Sequence, residues 1–336
     1  MFSWLSPVAL YGGFLRRCIT GAGLISQSMQ IDDETTIHFW GPKPITTPSS
    51  EPPKPSLILI HGFGPHGVWQ WRPQITFFSN DFDIYIPNLV FFGRSTTKSS
   101  DRSEVFQATC VIKLLEKIGV EKCSVIGTSY GGFVAYHMAK TWPEKVEKVI
   151  IASSGVNMKK TDNGELLKRA KVEKIEDLLL PATASQLRTL ISLSTHRRPP
   201  YMPDFLFNDF INYNFPTKGG QLPIVASPLQ LKLKLSCQCW MQKLYVENRK
   251  EKLELLKGIS LGRDDTVDIT PLQQEVLIVW GEYDQIFLLE KATELKKFMG
   301  EKARLEIIKN ASHVPQLEQG GKFNKIVKNF LCGSDD

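Results

Sequence analysis

Short apolar runs and amphipathic stretches alternate along most of this chain, a pattern of strand followed by helix that predicts a mostly parallel sheet covered on both faces. Eight strands are predicted, at Met29–Ile31, Thr36–Trp40, Leu57–Ile60, Ile84–Pro87, Ser124–Ile126, Lys148–Ala152, Val276–Trp280 and Leu305–Ile308. Phe106, Cys110, Leu114 and Ile118 share one helix face, as do Phe323, Ile326, Val327 and Phe330 near the C-terminus, so both helices should lie on the sheet. Pro44 to Pro55, with five prolines and little apolar content, reads as a surface loop. The alternation stops after Ala152 and resumes at Val276. Between them the chain is helical in character, with Leu187, Leu190 and Ile191 on one segment and an aromatic-rich stretch from Phe205 to Phe215, while Pro199, Pro200 and Pro203 break it into short helices. This predicts a helical cap at residues 156–270, inserted into an α/β core of residues 28–155 and 271–332, behind an apolar N-terminal segment of residues 1–27.

Composition narrows the class. A chain of 336 residues with 42% hydrophobic positions can bury a large core. Its 41 basic and 35 acidic residues leave +6, dispersed rather than gathered in one run, which argues against a nucleic-acid partner. The six cysteines are irregularly spaced and several sit in apolar segments, as reduced thiols do, so the cytoplasm is the expected compartment. Cys237 and Cys239 form a C-x-C with no second pair and no neighbouring histidine, and are read as structural rather than metal-binding. No oligomeric state is implied.

The N-terminal segment carries no basic residue before its hydrophobic part, which is the wrong polarity for a secretory signal, and its apolar stretch is shorter than the roughly 20 residues a membrane span needs. Trp4, Val8, Tyr11 and Leu15 recur at helical spacing. Packing against the domain or partial disorder is the expectation for this segment, with contact to a membrane surface through residues 1–25 as the alternative.

Gly127-Thr-Ser129-Tyr-Gly131 places G-x-S-x-G directly after a predicted strand and before the helical run Phe133–Lys140, the context in which such a serine is presented on a sharp turn. A serine alcohol is a weak nucleophile near neutral pH, so it needs a base and an acid that orients the base. Of the six histidines, at positions 38, 61, 66, 137, 196 and 313, only His313 follows the last predicted strand. His137 is expected to pack on the helix after Ser129, and His196, beside Arg197 and Arg198, to lie on a solvated surface.

Four ordered elements, H-G-F-G at His61, G-T-S-Y-G at Gly127, W-G-E-Y-D at Trp280 and S-H-V-P at Ser312, together resemble the α/β-hydrolase superfamily. The resemblance runs from about Gln30 to Leu331. It implies the α/β-hydrolase fold and the chain order Ser, Asp or Glu, His, which makes Ser129 the nucleophile, His313 the base and Asp284, selected over Glu282, the orienting acid. It also implies an oxyanion hole from the Phe63 and Tyr130 amides, with both side chains, and His61, Gly62, Gly64 and His66, bordering the substrate pocket. The segment from Ile86 to Ser95 departs from the family's D-x-x-G-x-G-x-S by placing Asn88 and Phe92 at the first and middle positions, a change expected in the pocket wall. Thr128 stands before the nucleophile where histidine is common.

G-x-S-x-G-G with a helical cap is similar to the branch holding meta-cleavage-product hydrolases, lipase-like esterases and many plant proteins. The implied activity is cofactor-free hydrolysis of a small or medium apolar carboxylic ester, with Phe205, Phe207, Phe210 and Phe215 as candidate apolar contacts. Carbon–carbon bond hydrolysis of a dienoate and slow or non-catalytic ligand reception are the alternatives. Epoxide hydrolysis and dehalogenation are not expected, because in this fold both need aspartate at the elbow.

Overall fold

The computed structural model describes residues 7–44, 54–197, 202–212, 247–267 and 269–333. Its sheet has nine strands, β1 (Leu24–Gln30), β2 (Thr35–Pro42), β3 (Ser56–Ile60), β4 (Asp83–Pro87), β5 (Thr96–Thr97), β6 (Cys123–Thr128), β7 (Val146–Ala152), β8 (Glu275–Gly281) and β9 (Ala303–Ile308), in the order β1-β2-β4-β3-β6-β7-β8-β9 with β5 paired to β2. The pairs β1–β2 and β2–β4 are antiparallel, and all pairs from β4 through β3 to β9 are parallel. This is the α/β-hydrolase fold.

The expected eight strands are present, and β5 is added to them. Its two residues, paired with Thr35 and Thr36, are too short to carry any periodicity. β1 also begins five residues before the expected Met29, inside the segment assigned to the N-terminus. Polar Ser26, Gln27 and Ser28 on this edge strand mask its start.

Alternation along β3 separates the two faces. Ile58 and Ile60 join a core with Ala108, Val111 and Leu115 of the helix Glu104–Lys117 and Val134 and Met138 of the helix Tyr130–Thr141. Leu57 and Leu59 join the opposite core with Trp71, Ile75 and Phe78, with Phe323, Val327 and Phe330 of the C-terminal helix, and with Leu15 and Ile19 of the helix Pro7–Gly21. The N-terminal helix is therefore seated on the domain. Trp4 and the side chain of Val8 lie outside the described residues.

Strand order reverses around β3, whose neighbours β4 and β6 lie on opposite sides. The crevice beyond the carboxyl ends of β3 and β6 is thus a switch point, where open α/β sheets bind ligands. Between β7 and β8 run the helices Lys160–Ala170, Ile175–Leu179, Ala184–Ser194, Asp204–Asn212 and Arg249–Gly258. The middle ones carry a small core of Ala184, Leu187, Phe207 and Ile211. The end of the stretch is pinned to the sheet domain. Leu255 and Leu261 enter the main core, and the fully buried Glu104 carboxylate accepts from Ser260 N (2.9 Å), Ser260 Oγ and Leu261 N (3.0 Å).

Candidate active site

β6 ends at Thr128, and the chain turns at once into the helix Tyr130–Thr141. Ser129, at the turn, takes φ 52° and ψ −122°, a conformation an L-residue adopts only when its surroundings enforce it. The enforcement is visible. Ser129 N donates to Ala152 O (3.0 Å), Ser129 O accepts from Ser154 Oγ (2.6 Å) and Gly132 N (2.9 Å), and a Cβ at Gly131 would meet Ile60 O at 2.3 Å. Only glycine lets the helix start this close to β3.

β8 and β9 deliver the other two groups on the loops that follow them. Asp284, 2% exposed, accepts from Ile286 N (2.8 Å) and Phe287 N (3.0 Å) through Oδ1, while Oδ2 stands 2.9 Å from His313 Nδ1. A carboxylate facing Nδ1 holds the proton there and leaves Nε2 as an acceptor. His313 Nε2 lies 3.0 Å from Ser129 Oγ, so the serine hydroxyl donates to it. Glu282 is turned away, with its carboxylate near Asn310 N at 3.4 Å.

The His61–His66 loop after β3 presses on Ser129: a Cβ at Gly62 would come 2.9 Å from its Cβ. Sequence reading missed the residue that braces this loop. Gln70 accepts from Gly62 N (2.9 Å) and donates to Gly62 O (3.1 Å) and Pro65 O (2.6 Å), a reciprocal clamp that no spacing rule announces. Among the described residues no group accepts from the Phe63 or Tyr130 amide, the two expected oxyanion donors.

A cavity of about 340 Å³ holds Ser129 and His313 together with Gly62, Phe63 and Thr128. Leu187, Leu190, Ile191 and Phe210 of the inserted helices, Ile286 and Leu317, and Tyr11 of the N-terminal helix complete much of its wall. Four expected pocket contacts lie elsewhere. His61 is fully buried beneath the loop, accepting from Leu89 N (3.0 Å) through Nε2 and donating from Nδ1 to Gly62 O (2.8 Å). Burial, with Lys252 adding a smaller effect, pushes its pKa down to about 4 and keeps it neutral. Gly64 and His66 are also absent from the wall; the His66 ring turns toward Gly93, where a Cβ would meet its Nδ1 at 3.0 Å. The Tyr130 ring points into the core between Phe63 and Phe133. The Asn88 departure likewise acts below the pocket: its side chain donates to His38 Nδ1 (2.8 Å) and accepts from Gly67 N (3.4 Å).

The candidate aromatics part ways on one helix. Phe205 is exposed, Phe207 is buried among the inserted helices, Phe210 faces the cavity, and Phe215 lies outside the described residues. His196 is exposed and stacks on Tyr283 at 4.3 Å. Glu318 ties that region to the His313 loop, accepting from Ser312 N (2.7 Å) with one oxygen and from His196 N (2.8 Å) and Arg197 N (3.2 Å) with the other.

The sequence pattern of the alpha/beta hydrolase fold family matches residues 55–174, which include the glycine loop and the serine elbow. The chain thus has the α/β-hydrolase fold and carries that family's sequence pattern over this part. The chain is similar to epoxide hydrolase 4 of Homo sapiens, 25% identical over 293 residues that make up 83% of this chain and 72% of the relative. It is likewise similar to monoacylglycerol lipase ABHD6 of Mus musculus, 24% identical over 291 residues, 83% of this chain and 76% of the relative. Among solved structures, the 2-hydroxy-6-oxo-6-phenylhexa-2,4-dienoate hydrolase of Rhodococcus sp. strain RHA1 shares the fold of this chain with a TM-score of 0.66, at 19% identity over 92% of this chain and 99% of that one. No helix among the described residues is long and apolar enough to cross a membrane.

Proposed function

We propose that this protein is a serine hydrolase that cleaves a carboxylic ester of a small or medium apolar substrate. The observation that carries the reading is the continuous relay from Ser129 Oγ to His313 Nε2 (3.0 Å) and from His313 Nδ1 to Asp284 Oδ2 (2.9 Å) at the wall of a mostly apolar cavity. In this reading Ser129 adds to the ester carbonyl as His313 takes its proton, and the negative oxygen that forms is received by the Phe63 and Tyr130 amides. His313 then gives the proton to the departing alcohol. Water, deprotonated by His313, releases the acid from the acyl-enzyme, and Asp284 stabilises the imidazolium in both halves. The inserted residues 156–270 act as the cap that supplies the apolar wall.

The likeness to epoxide hydrolase 4 does not extend the proposal to epoxides. A carboxylate that opens an epoxide forms an ester that water can cleave, whereas Ser129 would form an ether that water cannot. One feature favours a second reading. Arg72 is the only permanently charged residue among the described wall residues, and a guanidinium there suits a substrate carboxylate, such as that of a dienoate cleaved at a carbon–carbon bond.

Intact mass after exposure to a fluorophosphonate tests the nucleophile. One phosphonyl adduct on the wild type, absent from Ser129→Ala and His313→Ala, is expected. A folded wild type that stays unmodified and hydrolyses none of a graded acyl-ester series would overturn the reading and favour ligand reception. Loss of a dienoate's absorbance with no ester turnover would favour the second reading.

A further inference from the structure

Part of the cavity wall comes from outside residues 55–174, over which the family's pattern matches. In the helix Pro7–Gly21, Tyr11, Leu15 and Ile19 recur every fourth residue and so share one side. Leu15 and Ile19 are buried in the core that holds Leu57 and Leu59, which docks the helix on the domain. Tyr11, one turn nearer the start of the helix, reaches the cavity instead. It lines the cavity and is also 37% exposed, so on this side it stands between the cavity and solvent.

Neighbouring side chains fix the ring there. Trp69, also in the wall, has its ring centroid 5.2 Å from that of Tyr11 and 6.1 Å from that of Phe210 in the helix Asp204–Asn212, and tilted or edge-on pairs of this kind hold aromatic rings in place. The Arg72 guanidinium lies 5.9 Å from the Tyr11 ring centroid and donates to Trp69 O at 2.6 Å, so one side chain braces both. Three segments far apart in sequence thus meet at the cavity through three rings. A linear chain lying in the cavity gains about fourfold in affinity for each methylene it buries. That gain stops where the chain meets a ring it cannot displace.

We propose that Tyr11 is a specificity-determining residue: its ring, braced by Trp69 and Arg72, ends the cavity on the side of the N-terminal helix and sets the longest linear chain that the site accepts. The length limit stands on the cavity alone. Its consequence for turnover rests on the ester-hydrolase reading, and names the substrates as esters whose apolar chain ends at this ring.

The test is isothermal titration of linear alkanols, butanol to dodecanol, into the full chain as wild type, Tyr11→Ala, Tyr11→Leu and Tyr11→Phe, each checked for thermal unfolding. Wild-type affinity should rise with chain length and then level off. Tyr11→Ala should move the levelling point to longer alkanols, strengthening the longest about tenfold or more while leaving butanol unchanged. Tyr11→Leu should do the same to a lesser extent, and serves alone if Tyr11→Ala does not fold, whereas Tyr11→Phe should keep the wild-type limit because it keeps the ring. A wild type that binds no alkanol or shows no levelling point, truncated variants that keep the wild-type limit, or variants that bind all lengths equally less well overturn the proposal. The turnover readout is kcat/KM for p-nitrophenyl alkanoates and for acetates of linear alcohols, one of which should show the same shift. A limit that moves in binding while none of these esters is hydrolysed leaves the role of Tyr11 standing and counts against the ester-hydrolase reading; hydrolysis with an unmoved limit does the reverse.

Discussion

Replacing Asp284 by asparagine isolates the contribution of proton placement. Asp284 Oδ1 accepts from the Ile286 and Phe287 amides at 2.8 and 3.0 Å, so in Asp284→Asn the amide oxygen keeps that position and the Nδ2 group takes the place of Oδ2. That puts an N–H donor where a carboxylate oxygen now lies 2.9 Å from His313 Nδ1. The imidazole must then accept at Nδ1 and carry its proton at Nε2, which faces Ser129 Oγ at 3.0 Å and can no longer take the serine proton. Loss of the correct tautomer in such a relay costs ~10⁴ in kcat, equivalent to roughly 5.5 kcal/mol of barrier. Size and backbone partners are retained, so the thermal unfolding temperature should shift by a few degrees at most. Turnover of a p-nitrophenyl ester measures the first quantity and calorimetry the second. The assignment of Asp284 fails if Asp284→Asn keeps more than about a tenth of wild-type kcat, or if Glu282→Gln loses as much.

Further consequences follow from the same geometry. Gln70→Ala frees the Gly62–Pro65 loop and should lower kcat of ester turnover roughly 10- to 100-fold, short of the ~10²- to 10³-fold loss of an oxyanion donor outright, with little change in thermal stability by calorimetry. Glu318→Ala removes the acceptor of three backbone amides that join the histidine loop to the inserted helices; it should destabilise by about 2 kcal/mol and reduce kcat, while Glu318→Gln, which keeps one acceptor oxygen, recovers part of both when measured by urea unfolding and ester turnover. Acid should weaken the fold well before its carboxylates protonate. Burial, aided by the charge of Arg94, pushes buried His38 down to about 3, and burial pushes His61 down to about 4, so between those values and the ordinary 6.5 the unfolded chain binds more protons. Their stabilisation is complete above pH 6.5 and disappears as pH falls, with a slope approaching about 2.7 kcal/mol per pH unit near pH 5; urea unfolding energies that stay constant between pH 7 and 5 would contradict it.

The parts of this protein that could be read from its sequence are those fixed by order and periodicity. All eight expected strands are in the sheet because Val, Ile and Leu runs bounded by turn residues leave little choice. The elbow, acid and histidine are brought together because each follows the end of a strand, and the carboxyl ends of parallel strands share one edge of the sheet. Which way a loop side chain turns is not encoded in its spacing. His61 and His66 flank the glycines of the loop and point beneath it, the Tyr130 ring enters the core, and Gln70, eight residues after Gly62, closes the clamp through contacts visible only in three dimensions. The inserted helices show the same division, since Phe205, Phe207 and Phe210 are alike in composition yet face solvent, core and cavity as the helix turns by about 100° per residue.

These two kinds of position divide the proposed chemistry from its selectivity. The reacting groups sit on turns held by the sheet: Gly131 is packed against Ile60 O, Ser129 is held at positive φ by bonds to Ala152 and Ser154, and Asp284 is held by the amides of its own loop. None of these constraints involves the inserted helices, so the relay can keep its geometry while the walls above it change. The opposite holds for the cavity, whose apolar surface comes largely from Leu187, Leu190, Ile191 and Phe210 of the insertion and Tyr11 of the N-terminal helix. Polar contacts from the inserted helices reach both loops beside the serine: Arg169 donates to Gln285 O (3.1 Å) and Ile286 O (3.3 Å), next to Asp284. Ser312 Oγ donates to Leu193 O (3.0 Å), and Glu318 receives the His196 and Arg197 amides, both within a few residues of His313. Movement of the inserted helices would therefore be felt first at the His313 and Asp284 loops and last at Ser129. Substitutions at Leu187 or Phe210 should accordingly change which esters are accepted, whereas a change at Glu318 should alter the rate for every ester alike.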